Sequence, residues 1–461
     1  MVKDRDFYKV IFTIAVPSAF QSMISYLVVV VDNIMVSSIP NGVAALAGVA
    51  QVNSITAFYT AAVGGLVGGS TVLISQYWGR KDLERITDIF SMVLKICVCA
   101  AGLVVLAAAV FPRQAVGLVI SRDEAIVTEM GLTYLRYASI GWLPYAVSCS
   151  LVVMLRSIEI VKITLVITVT ALFVNIGLNY ILIFGHLGFP AMGVAGAGLA
   201  TLVTRITEAV IVIVYAFKIQ KKLPLRFANI FRGSGRLYKD YARFGLPVAF
   251  TDVQWAMVGV LKAAIIGQLG ASFMAANSIV SSAGGLGMLF TGALAGGACV
   301  VVGKAVGEGD YSKARAYSNT IQIMFALIGV VIAGFVYLLR GPFVSLYGSS
   351  SDPEVYALSV NMIAILAVTL IGTNYHASCF VGINRGAGDS RFVAMVDMVC
   401  GWLVVLPATA LAAFVWELPL PMIFLATRVD QLFKWVIAFF RLRGNKWIKD
   451  VTRQGAPAAQ D

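Results

Sequence analysis

Apolar runs of about 20 or more residues recur along the whole chain, separated by short polar turns, and each is long enough to cross a bilayer as a helix. The pattern predicts twelve spans, at 8–39, 43–76, 86–111, 126–153, 159–184, 191–217, 238–268, 271–304, 314–339, 353–383, 389–415 and 419–442. Turn formers mark the breaks, as in "SIPNG", "GHLGFPAMG", "GQLGA" and "WELPLP". The longest connection, "KIQKKLPLRFANIFRGSGRLYKD", is basic loop, too short for an extramembrane domain. The first run lacks a small-residue cleavage site and more spans follow it, so it reads as a span rather than a removable leader.

Composition agrees. Of 461 residues, 59% are hydrophobic and 13% charged, against roughly a quarter charged in soluble domains. The net charge is +12, and its distribution matters more than its size. Basic residues crowd the N-terminus, the even-numbered loops and the C-terminus (Arg80, Lys81, Arg156, Lys313, Arg385, Arg441). About 26 of the 35 lie on that side, which by the positive-inside rule puts both termini in the cytoplasm of a prokaryotic plasma membrane. The charge therefore calls for anionic lipid headgroups rather than nucleic acid. Six cysteines, all within apolar runs, and two histidines suggest packing rather than a metal or redox centre.

The chain also reads twice, at an offset of about 229 residues. "AVPSAF" at 15–20 recurs as "GLPVAF" at 245–250, and "LAT" ending at Thr201 answers "LAT" ending at Thr427. Glycines at 64, 68, 69 and 79 match those at 292, 296, 297 and 307. Six spans per half give both halves the same orientation. The expected fold is an all-α integral membrane protein of twelve transmembrane helices, with two parallel six-helix repeats around a central cavity. The expected domains are an N-terminal lobe at 1–225, a C-terminal lobe at 226–442 and a cytoplasmic tail at 443–461.

Asp32 interrupts this apolar background. Seven of the eight residues flanking it, four on each side, are apolar. A carboxylate at the bilayer centre costs about 2.5–3.5 kcal/mol, so it is a functional candidate by default. Span five places Asn175 and Asn179 four apart on one helix face, and span six carries Thr201 at similar depth. One carboxylate, two amides and a hydroxyl suit a hard cation; the carboxylate alone could carry a proton. A plain polar contact between helices is the alternative. Asp32 aligns with Lys262 in the second half, however, and the asparagines have no amide counterparts there, so the cluster is confined to one half.

Pro17 ahead of Asp32, "VDNIMV", the NxxxN of span five, "GVAGAGLAT", "INRGAGDSR" and "RLRGNKW" together resemble the multidrug and toxic compound extrusion (MATE) transporters. The resemblance covers nearly the whole chain. It implies a two-lobed antiporter that exports organic, cationic or amphipathic compounds in exchange for sodium ions or protons. It assigns Asp32, Asn175, Asn179 and Thr201 to the cation site and a helix kink to Pro17. The chain departs from the family where some members carry a second acid, at Asn179, and where others have acids in spans seven and ten. There it has "FTDVQWAMVGVLK", with Asp252 about a turn away, and "GTNYHASCF".

Arg205 and Glu208, three apart, are expected to pair; Arg428, Asp430 and Lys434 either form a similar net or serve the substrate, and Lys434 is a candidate partner for Asp397. Lys262 either reaches the outer headgroups or attracts an anionic group in the cavity. Trp142, Tyr145, Trp255, Met257, Lys262, Tyr375 and His376 are the candidate cavity residues. A flippase for lipid-linked saccharides and an exporter of an anionic metabolite are the alternative functions. The short loops supply no enzyme constellation, and the chain calls for no cofactor and no protein partner, so it reads as a monomer in lipid acting on a small organic substrate.

Overall fold

The computed structural model describes residues 2, 4–117, 125–223, 225, 235–346 and 352–452. The expected lobe start at 226, much of the central loop and the end of the tail, 453–461, lie outside the described residues. All regular elements among the described residues are helical. They are α1 (Arg5–Ser37), α2 (Gly42–Gly79), α3 (Leu83–Val110), α4 (Pro112–Gly117), α5 (Ala125–Ala138), α6 (Trp142–Ser157), α7 (Lys162–Phe184), α8 (Val194–Val214) and α9 (Gly235–Phe244). There follow α10 (Leu246–Gly267), α11 (Ala271–Gly307), α12 (Tyr311–Leu338), α13 (Arg340–Ser345), α14 (Pro353–Ala377), α15 (Ser390–Met398), α16 (Leu406–Phe414), α17 (Leu420–Ala426) and α18 (Lys434–Arg443).

Ten segments are continuous helices long and apolar enough to span a membrane, α15 and α16 forming one of them through a π-helical stretch at Val399–Val405, and α5 with α6 make an eleventh, bent by 51°. The twelfth apolar stretch is α17 and α18, joined by a 3₁₀ turn at Val429–Leu432. The protein is thus an all-α integral membrane protein, and two of its expected straight spans are broken. In span four, Pro144 sits in the first turn of α6, where its missing N–H costs nothing but an uninterrupted helix would lose a bond. In span twelve no proline or glycine marks the break. The polar run from Thr427 to Gln431 instead bonds through its side chains, Arg428 to Thr369 at 2.8 Å and Thr373 to Gln431 at 2.7 Å.

The repeat is visible in local detail. Asp82 caps α3 by accepting from the Arg85 N–H at 3.1 Å, and Asp310 caps α12 by accepting from the Lys313 N–H at 2.9 Å. Each cap follows a residue with positive φ, Lys81 in one half and Gly309 in the other. The Lys313 N–H and the Ser312 hydroxyl hold the Asp310 carboxyl below the usual carboxylate range. The caps start both helices three residues before the hydrophobic pattern does.

The chain packs as two compact units. One holds Met1–Val16, Thr71–Lys81 and Ala242–Asp461; the other holds Pro17–Ser70 and Asp82–Tyr241. The division within α1 falls at Pro17. In the first unit, Phe7 and Ile11 of α1 are buried with Ala298 and Val302 of α11 and Ile321 and Phe325 of α12. A lattice of close contacts surrounds the "INRGAGDSR" stretch. Gln76 donates to the Gly386 and Lys449 carbonyls and accepts from the Val451 N–H at 2.8 Å, while buried Asp389 pairs with Arg441 at 2.8 Å and Lys449 at 2.5 Å. The "RLRGNKW" stretch is part of this lattice, and its Trp447 is fully buried.

The repeated glycines divide by role. Added Cβ atoms would collide with the Lys304 carbonyl at Gly79 and with the Gln76 carbonyl at Gly307, whereas Gly64 and Gly292 face open space. Close approach of α2 and α11 therefore uses the last glycine of each set, while Gly297 lies against the Ile11 carbonyl of α1. Gly307→Ala is expected to cost about 1–3 kcal/mol through overpacking, lowering the yield of folded protein and its melting temperature in detergent. Gly292→Ala is expected to leave both unchanged.

Candidate functional site

Glycines bring the helices of the second unit close enough to gather their polar residues. In "GVAGAGLAT", a Cβ at Gly196 would stand 2.6 Å from the Leu182 carbonyl of α7, and one at Gly198 would stand 3.1 Å from the Tyr134 carbonyl of α5. Beyond them α8 presents Thr201, Arg205 and Glu208 to a cavity of about 360 Å³, into which Asp32, Asn175 and Tyr145 also face.

Asn179, fully buried, donates its amide N–H to an Asp32 carboxylate oxygen and also to Asn175 Oδ1 at 3.3 Å. Its own Oδ1 is buried without a hydrogen-bond partner. A buried unpaired oxygen beside a carboxylate is costly unless a cation or proton donor reaches it. Thr201 lines the same cavity and donates its hydroxyl to the Ala197 carbonyl at 3.0 Å, leaving lone pairs to accept. The structure thus gathers Asp32, Asn175 and Thr201 around one cavity, with Asn179 directly behind them.

Of the expected cavity residues, Trp142 and Tyr145 line this space. Trp142 stacks on Tyr59 at 5.1 Å, and the Tyr59 hydroxyl donates to the Trp142 carbonyl at 2.7 Å. Arg205 pairs with Glu208 at 2.8 Å, as expected, but the pair also faces the cavity, and the guanidinium lies 5.2 Å from the centre of the Tyr145 ring. Asn53 and Tyr134, not among the expected site residues, share the lining, and the Tyr134 hydroxyl donates to Asn53 Oδ1 at 3.4 Å. Their only sequence signal is a polar side chain within an apolar run.

The remaining expected residues belong to the other unit. Trp255 lies under the Lys434 ammonium, 4.3 Å from its ring centre. The Tyr375 hydroxyl donates to Gln322 at 2.7 Å, and His376 Nδ1 stands 3.0 Å from the Gly372 carbonyl of its own helix. Met257 is exposed and Lys262 half-buried. Asp252 pairs with Arg385 at 2.9 Å, and Lys434 bridges Asp397 at 2.8 Å and Asp430 at 3.1 Å. Of the two expectations for Arg428, the net is not formed: Lys434 and Gln431 hold Asp430, and Arg428 donates to Thr369 instead.

The MatE family model matches this chain twice, at residues 17–181 and 247–411. The chain belongs to the MATE family of membrane transporters. The two matches begin at Pro17 and Pro247, the prolines on which the two halves align. Among similar proteins, a probable multidrug resistance protein NorM of Bacillus subtilis is 28% identical over 89% of this chain and 90% of its own. Another of that name from Halalkalibacterium halodurans is 26% identical over 80% of each chain. A crystal structure of a MATE protein in the bent conformation superposes with a TM-score of 0.85 over 95% of both chains at 17% identity. A MOP superfamily transporter from Pyrococcus furiosus superposes at 0.83 over 94% of this chain and 95% of its own, at 18% identity. These likenesses establish the MATE fold for the chain.

Proposed function

We propose that this MATE transporter is a secondary-active efflux antiporter that exports organic, cationic or amphipathic compounds in exchange for sodium ions or protons. The observation that carries the reading is Asp32, an intramembrane carboxylate on a cavity, with the buried unpaired oxygen of Asn179 beside it. Half a turn of the Asn179 amide would exchange its N–H₂ for that oxygen, so that three oxygens face one point. A sodium ion or a proton on Asp32 satisfies that arrangement, and its arrival removes the present Asn179–Asp32 bond. Ion binding is thereby linked to packing between α1 and α7. The ion drives export only if its affinity differs between the two states of an alternating-access cycle.

Thr201 supplies a further oxygen, and Trp142 and Tyr145 offer ring faces to an organic cation. Pro17, where α1 passes from one unit to the other, removes one helix bond and serves as the flexing point. Residues 1–225 and 226–442 act as the two repeat lobes, with the cation site in the first, and 443–461 forms the tail. The related NorM proteins carry a multidrug resistance name, which supports a broad substrate range. Both termini face the cytoplasm of a prokaryotic plasma membrane, and the transporter works as a monomer.

The test uses cells stripped of their own efflux pumps, loaded with a cationic dye and given separate sodium and proton pulses. Dye leaving faster than from cells without the transporter, on one pulse, supports the reading and names the ion. No acceleration on either pulse contradicts it.

A further inference from the structure

Positions related by the repeat carry opposite charge. Aligned on Pro17 and Pro247, Asp32 falls on Lys262; aligned on the two "LAT" runs, Glu208 falls on Lys434. The first unit resolves its charges unevenly. Lys434, fully buried, is held between Asp397 and Asp430, and Asp430 also accepts from Gln431 at 2.8 Å. With both acids committed, Arg428 and Lys262 have no carboxylate within ion-pair distance among the described residues. Arg428 donates its Nε to Thr369 at 2.8 Å and lines a cavity of about 240 Å³ otherwise walled by Val280, Ser281, Leu366 and Phe424. Arg428 therefore faces its cavity with no carboxylate paired to it. An arginine inside a membrane costs about as much as an aspartate, which marks it as a site when protein does not compensate it. Phe424 and the aliphatic walls favour an apolar body next to the charge.

We infer that this cavity binds the anionic group of an amphiphile, a carboxylate or phosphate held by the free guanidinium nitrogens of Arg428 with its apolar part against Phe424 and Leu366. Lys262 adds long-range attraction. A planar guanidinium suits bidentate capture of such oxygens. Under the export reading, on which the physiological role rests, the transported compounds include amphiphiles with an acidic group; an anionic lipid headgroup carries the same chemistry.

The test is an equilibrium fluorescence titration of the full-length protein in phosphatidylcholine nanodiscs, using a dansylated amphiphilic carboxylate and its neutral methyl ester. Wild type is expected to bind the carboxylate about tenfold or more tightly than the ester, the worth of a charge-assisted hydrogen bond. Arg428→Gln is expected to erase that preference with the ester affinity unchanged, and Arg428→Lys to restore part of it. Lys262→Gln, at an unpaired half-buried position, provides a second variant and is expected to weaken only the carboxylate. Phosphatidylglycerol in the nanodisc that displaces the carboxylate from wild type would identify a headgroup as occupant; failure to displace it would assign the site to a free amphiphile instead. Equal affinity for acid and ester in wild type, or a preference that survives in Arg428→Gln, overturns the inference. The titration needs no ion gradient, so failure of the dye experiment with this preference intact would refute antiport and leave the site standing.

Discussion

Asp32→Asn is expected to reduce ion-driven efflux to the level of cells lacking the transporter, with the same amount of protein in the membrane. Asparagine keeps the shape of the side chain and an oxygen to accept from Asn179, but removes the charge that an entering ion neutralises. Without that charge the ion has no differential affinity to contribute, and substrate is no longer moved against its gradient. Stability should move the other way. Removing an intramembrane carboxylate relieves up to about 2.5–3.5 kcal/mol of desolvation, so the melting temperature in detergent should hold or rise. That opposition separates coupling from helix packing, because a merely structural Asp32 would lose stability and efflux together. A variant that pumps as well as wild type would reduce Asp32 to a packing residue.

Lys434→Met is expected to be the most destabilising single change in the chain. The Lys434 side chain is 1% exposed, and its partners Asp397 and Asp430 are 9% and 1% exposed. Removing the ammonium leaves two buried carboxylates without their ion-pair partner, and breaking a buried pair in this way costs about 3–5 kcal/mol. Loss of the contact with the Trp255 ring adds to it. The protein should fail to accumulate in the membrane. The combined variant Lys434→Met, Asp397→Asn, Asp430→Asn removes the charges together and should recover folded protein, because the expense lies in the unpaired charge. Size-exclusion profiles and thermal unfolding in detergent report both outcomes.

Hydrophobic runs made most of the fold legible, because a helix in lipid must satisfy its own backbone and so announces itself by length and apolarity. The repeat was legible too, down to its two prolines. What escaped were the places where side chains replace backbone bonds. The break after Ala426 has no glycine or proline, only polar residues that bond to α14. Helix starts at Leu83 and Tyr311 came three residues early because aspartate caps, not apolar periodicity, set them. At the candidate site, Asp32 and the two asparagines stood out as polar exceptions in apolar runs. Asn53 and Tyr134 were equally polar and did not, since only packing across helices shows that they share a cavity with Asp32. "INRGAGDSR" and "RLRGNKW" carried the family resemblance, yet the structure places them in a scaffold of backbone and ion-pair contacts around Asp389 and Gln76.

The central claim is that an ion at Asp32 drives export, and purified protein in liposomes tests it most directly. Dye would be equilibrated across the membrane at zero potential, and a sodium gradient or a pH gradient then imposed alone. The account predicts that wild type drives dye up its concentration gradient under one of the two, and that Asp32→Asn only lets it stay at equilibrium. Uphill movement that persists in Asp32→Asn, or dye that stays equilibrated in wild type under both gradients, would contradict it.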